Sequence, residues 1–157
     1  MKAATVKEIK AELSTKTEKE LIEICLKLSK FKKENKELLT YLLYDAQDEK
    51  TFIENVKVHI DEQFEQINTK TYYFMKKSVR KILREVKKFV RYSKNKETEV
   101  ELLLYFCHKM TRLNPSINQV FVLKNIYLRE KAAVGKKIGV LHEDLQYDYG
   151  MELEDLQ

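Results

Sequence analysis

The sequence predicts an all-α fold, and three observations carry that prediction. Only three Gly and one Pro occur among 157 residues, too few for the turns of an all-β chain. Apolar residues recur at spacings of three and four almost from end to end. Threonines followed three residues later by glutamate recur ahead of those runs, the pattern of a helix N-terminus. The spacing predicts six or seven antiparallel helices in a single domain over residues 1–149, with an acidic tail over 150–157.

A short first helix is expected from Thr5, where Thr5 and Glu8 have capping-box spacing. The second begins between Thr15 and Thr17, with Glu18 or Glu20 completing the box. Leu21, Ile24, Cys25, Leu28 and Phe31 form its apolar face. Lys32 to Lys36 reads as a polar connection. Leu38, Leu39, Leu42, Leu43 and Ala46 are then the expected buried stripe of a third helix. A fourth is expected from Thr51, with Glu54 three residues on. It buries Phe52, Ile53, Val56, Ile60, Phe64 and Ile67.

The fifth helix, near 70–93, has Met75, Val79, Ile82, Leu83, Val86, Phe89 and Val90 on its apolar face. Lys94 to Lys96 makes a turn, and Thr98 with Glu101 offers the next cap. The sixth helix, near 98–113, is apolar around most of its circumference from Val100 to Leu113, which marks a central element covered on more than one side. Asn114-Pro115 has the form of an N-cap followed by Pro at the first helical position. The last helix is expected from there to beyond residue 145, with Val120, Leu123, Tyr127, Val134, Ile138, Leu141 and Leu145 on one side.

Residues 36–42 echo residues 100–106, which raises an internal repeat over 16–67 and 70–134. Chance likeness between leucine-rich helices explains the echo equally well. The architecture is therefore a helical bundle or a short α-α superhelix of two three-helix units. In outline it is similar to HEAT- or armadillo-type helical repeats, although it lacks their sequence motifs.

Charge is strongly segregated along the chain. The net +5 conceals eleven Lys or Arg against the single acid Glu85 over residues 70–96, a local net of +10. Residues 1–69 carry −2 and residues 97–157 carry −3. Lys77, Arg80, Arg84, Lys87, Arg91 and Lys94 follow steps of three and four, which sets six cations on one stripe opposite the apolar face. Lys76, Lys81 and Lys88 flank it, and Tyr72, Tyr73 and Tyr92 stand at the helix ends. Like charges at this spacing repel by a few tenths of a kcal/mol per pair, about what an opposite pair gains. An anionic partner relieves that repulsion: a nucleic acid, an acidic protein surface, an anionic membrane surface, or the acidic tail. Compensation by neighbouring acidic helices is the plainer reading.

From Glu143 to Gln157 there are six acids and no base, mixed with Leu145, Tyr147, Tyr149, Met151, Leu153 and Leu156. The tail is expected either to fray past Gly150 or to dock on the basic helix, in which case its removal would expose the stripe. Gly135, Gly139 and Ala132 mark a thin surface for a neighbouring helix, or a break.

The chemistry of a reaction is harder to find. His59, His108 and His142 lie on different expected helices and have no metal-ligand spacing. His59 and Glu62 are placed to pair on one face. Cys25 and Cys107 fall in apolar stripes and are expected in the core. No nucleophile has an arranged base, so no enzyme, cofactor or metal is expected. The longest apolar run, Leu102 to Cys107, is far short of a membrane span of about 20 residues. The N-terminus has no signal-peptide pattern, and the two cysteines form no disulfide framework, so the chain is expected in the cytoplasm. The function predicted is a non-catalytic binding module using its basic helix face. The alternative is a protein–protein adaptor or homodimer using the long last helix and the acidic tail.

Overall fold

The computed structural model describes residues 1–156. They form eight α-helices and no strand, against the six or seven helices that the periodicity predicts. The chain divides into two compact units, Met1–Tyr44 and the residues from Asp45 onward.

The first unit holds α1 (Val6–Leu13), α2 (Glu18–Phe31) and α3 (Lys33–Thr40). Both expected capping boxes form. The Thr5 amide donates to Glu8 at 2.7 Å while its hydroxyl accepts from the Glu8 amide at 3.3 Å. Thr17 and Glu20 repeat the arrangement at the same distances, and Thr15 instead donates its hydroxyl to the Glu12 carbonyl. The connection expected over Lys32–Lys36 shrinks to Lys32 alone, whose extended backbone separates α2 from α3. Lysine and glutamate are good helix formers, so nothing in residues 33–37 stops the helix from starting early. The Asn35 side-chain amide donates 2.9 Å to the Leu28 carbonyl and fixes the hairpin corner.

The apolar stripes of this unit are not buried. Leu38, Leu42 and Leu43 are exposed, as are Cys25, Leu28 and Phe31, and so is Ala46 just beyond the unit. Their periodicity is real, but α2 and α3 cover only part of each other's apolar face. Tyr41, at the start of a π-helical turn over Tyr41–Asp45, is the one buried residue among residues 1–44.

The second unit is built on α4 (Glu49–Glu65), α5 (Tyr72–Ser93), α6 (Lys96–Thr111), α7 (Phe121–Ile138) and α8 (Glu143–Asp155). Helix α6 is the centre, packing against α4, α5, α7 and α8. Val100, Leu102, Leu103, Phe106, Cys107 and Met110 are all at most 1% exposed. The Phe106 ring lies 5.7 Å from that of Phe64 on α4. No helix among the described residues is long and apolar enough to cross a membrane.

Two expected caps move upstream. Asp48, not Thr51, caps α4 and accepts from the Thr51 amide at 3.1 Å and its hydroxyl at 2.6 Å. Asn95, not Thr98, caps α6 and accepts from the Glu97 and Thr98 amides at 2.9 and 3.3 Å. In both cases an Asp or Asn, stronger N-caps than Thr, stands three residues earlier. The buried Thr98 hydroxyl donates instead to Glu49 at 2.6 Å.

The last helix begins later than expected and is divided. Asn114-Pro115 is a cis peptide, and a 3-10 turn over Ile117–Gln119 follows it, capped by Ser116. Ile117 and Val120 are buried there, which draws this segment onto the core and delays α7 until Phe121. Gly139 ends α7. The Gln146 side chain donates to the Leu141 and Gly139 carbonyls at 2.7 and 3.3 Å and staples the corner into α8. The two glycines therefore divide the roles expected of them. A Cβ on Gly135 would meet Leu153 of α8 at 3.4 Å, so Gly135 marks close packing and Gly139 the break. Ala132 is exposed and takes no part in that thin surface.

Candidate anion-binding face

Helix α5 presents the basic stripe because its opposite side is committed to the core. Thr71 caps it, accepting from the Phe74 amide at 3.2 Å. Lys94 ends it in the left-handed conformation with φ 55°. Met75, Val79, Ile82, Leu83 and Val86 are buried, and about 100° per residue carries the cations to the outside. Lys77, Arg80, Arg84, Lys87, Arg91 and Lys94 are all exposed. From Lys77 to Lys94 the stripe runs roughly 25 Å along the helix axis.

Of these six, Lys87 alone meets a carboxylate among the described residues. Its Nζ lies 2.9 and 3.0 Å from the two oxygens of Glu130 on α7, a side chain 2% exposed. Arg129, the residue before it, places Nε 3.3 Å from the same carboxylate. Glu85, the one acid of α5, points the other way and meets His59 of α4 at 2.8 Å, so the expected His59–Glu62 pair gives way to one between helices.

Several other acids of α4 and α6 pair with bases off the stripe. Lys57 holds Glu101 at 2.7 Å and Glu54 at 3.2 Å. Lys109 holds Asp61 at 2.9 Å, and Lys137 holds Glu99 at 2.7 Å. Neutralisation of the stripe by neighbouring acidic helices is realised at one position of six.

A groove of about 630 Å³ runs along this face, lined by Tyr73, Lys77, Arg80, Arg84, Lys87 and Arg129 among others. Arg129 is a contributor the stripe pattern does not contain, because it comes from another helix. Lys76 lies 5.4 Å above the Tyr73 ring and Lys88 5.1 Å above that of Phe89, so these flanking cations lean on aromatic faces. Tyr72 and Tyr73 are exposed.

The acidic tail does not cover the stripe. It neither frays at Gly150 nor docks on α5: α8 runs to Asp155 and packs on α7 and α6. The Tyr149 hydroxyl lies 3.2 Å from Glu97 and 3.3 Å from Glu101, Leu156 is buried, and the Lys131 ammonium donates to the Leu156 carbonyl. The stripe is accessible with this segment in place, so removing the tail is not required to expose it.

The two cysteines part company. Cys107 is fully buried, and burial, with the Glu130 charge adding to it, pushes its thiol up to about 12. Cys25 is exposed rather than in the core, because the hairpin leaves that face open. His108 and His142 are exposed, and His142 caps α8, accepting from the Asp144 amide at 3.4 Å. Among the described residues no group of three or more His, Cys, Asp or Glu side chains is placed to hold a metal ion. Compared with known proteins, the chain matches no family model, no curated protein and no solved structure.

Proposed function

We propose that the protein is a non-catalytic binding module that engages an anionic partner through the outer face of α5, and that the partner is a nucleic-acid backbone. The observation that carries this reading is the lack of compensation. Lys77, Arg80, Arg84, Arg91 and Lys94 face solvent with no carboxylate partner among the described residues, although Glu54, Asp61, Glu99, Glu101 and Glu130 pair with other bases. Five aligned cations over roughly 25 Å are costly to keep together and match a partner with regularly repeating negative charge. Arg129 broadens the face from α7, and exposed Tyr73 at one end of the groove offers a ring for a base to stack on. A row of cations along one helix axis suits successive phosphates, so the recognition proposed is of the backbone. Both cysteines are free thiols, which suits a reducing compartment, and we place the module in the cytoplasm.

Fluorescence polarisation with labelled single- and double-stranded oligonucleotides tests the reading. It requires binding at low salt that weakens as Arg80 and Arg84 are reversed to Glu. No binding at low salt eliminates it.

A further inference from the structure

The hairpin of α2 and α3 carries an apolar face that residues 1–44 do not cover. Ile22, Leu26, Leu28, Phe31, Leu42 and Leu43 are each about half exposed or more. Cys25, Leu28, Leu38, Leu39 and Leu42 line an apolar groove of about 210 Å³ between the two helices. A unit this short with one buried residue has little core of its own, and a second copy would bury apolar surface that it leaves exposed. Its one cysteine is a free thiol, and no metal-binding cluster is present among the described residues.

We infer that this face is a homodimer interface, in which the α2 helices of two copies pair antiparallel about a twofold axis at Cys25. The register follows from the sequence. Leu21, Cys25 and Leu28 follow steps of four and three and share one face of α2, flanked by Glu18 at its start and Lys32 at its end cap. In a pair centred on Cys25, Ile22 of one copy stands opposite Leu28 of the other, and Leu21 opposite Ser29. Glu18 stands opposite Lys32, twice over.

Charge selects this orientation. Glu18, Glu20 and Glu23 outnumber Lys19 at the start of α2, while Lys27, Lys30, Lys32 and Lys33 crowd its end and the corner beyond. A parallel pair sets like charge on like, and an antiparallel pair sets acid on base. Leu28, Leu38 and Leu42 line the groove with much of their surface exposed, and the helix of a second copy laid along it covers them.

Light scattering on the full chain, without nucleic acid, tests this independently of the basic face. The expected result is a concentration-dependent species of twice 18.8 kDa. Glu18→Lys or Lys32→Glu alone raises the dissociation constant at least tenfold, and the two together restore it. Leu28→Glu abolishes the dimer, with helicity checked by circular dichroism. A short thiol crosslinker joins two copies through Cys25, while Cys107, 0% exposed, stays silent. A monomer at every concentration overturns the inference. So does a dimer that ignores the charge reversals and does not crosslink, or a reversal that the double variant fails to rescue. A monomer that floats with lipid vesicles overturns it too and assigns the face to a membrane surface.

Discussion

Lys87, in the middle of the exposed basic stripe, is bound through its ammonium at 2.9 Å to the buried carboxylate of Glu130 on the neighbouring helix α7. This makes Lys87 unlike the other five cations of the stripe. It ties α5 to α7 and supplies the charge that allows Glu130 to stay in a dry setting.

Removing Lys87 therefore acts on stability, whereas removing Arg84 acts on binding. Lys87→Ala leaves a buried carboxylate with Arg129 as its remaining cation and is expected to cost about 2 kcal/mol. Arg84→Ala touches no partner and is expected to stay within about 0.5 kcal/mol of the parent. Urea unfolding of both variants checks this. Equal stabilities contradict it.

Glu130→Gln is expected to move the two properties in opposite directions. It lowers stability by about 1 kcal/mol through the lost charged hydrogen bond, and it leaves Lys87 unneutralised on the binding face. Oligonucleotide affinity should rise as the melting temperature falls. A variant that loses both affinity and stability argues against a stripe limited by Glu130.

How much of this was legible in the sequence differs from residue to residue. The all-round apolar character of residues 100–110 identified α6 as the central helix, and its burial follows directly. The Thr5–Glu8 and Thr17–Glu20 boxes formed as their spacing requires. The same spacing at Thr51–Glu54 and Thr98–Glu101 misled, because Asp48 and Asn95 compete for the same amides and local pattern does not rank rival caps. Periodicity also says which side of a helix is apolar, not whether anything lies against it. Leu28, Leu42 and Cys25 show that gap. At the candidate site, the alignment of the six cations was readable from spacing alone, whereas their exposure and the pairing of Lys87 with Glu130 were not. Arg129 and Glu130 were not, since α7 joins α5 only through tertiary packing. The one trace of Glu130 is its place between Tyr127 and Val134 on the apolar side of α7.

Gly135 tests the packing of α8. Gly135→Ala places its Cβ in ordinary contact with Leu153 at 3.4 Å and removes a flexible residue from a helix interior. It is expected to stabilise by about 0.5–1 kcal/mol. Gly135→Leu does not fit beneath Leu153 and should lift α8, seen as faster proteolysis after residue 139 and a lower melting temperature. Equal proteolysis of parent and Leu variant contradicts the close approach.

Alkali should weaken the fold partly through Tyr105. Burial, and then the Asp61 carboxylate to which it donates at 2.7 Å, pushes the Tyr105 phenol up to about 12 from its usual 10.0. Because the folded value lies above the unfolded one, the stabilisation is complete below pH 10 and is lost as pH rises through 10 toward 12. Tyr105→Phe removes this contribution, so its stability should fall less steeply than the parent's across that window. Unfolding midpoints between pH 9 and 12 report it, and parallel curves exclude it. Tyr149 shifts the same way, with burial first and then Glu101 and Glu97 as causes, so part of the slope remains in the variant.

The central claim is that uncompensated cations on α5 grip a phosphate backbone. The most direct measurement is oligonucleotide affinity as a function of salt, for the parent and for a variant with Arg80 and Arg84 reversed to Glu. The account predicts that log K falls linearly against log salt in the parent with a slope of about −4 to −5 on duplex DNA, as expected for five phosphate contacts. The variant should bind at least tenfold more weakly, with a slope shallower by about 2. Binding that is insensitive to salt, or equally strong in the reversed variant, contradicts it.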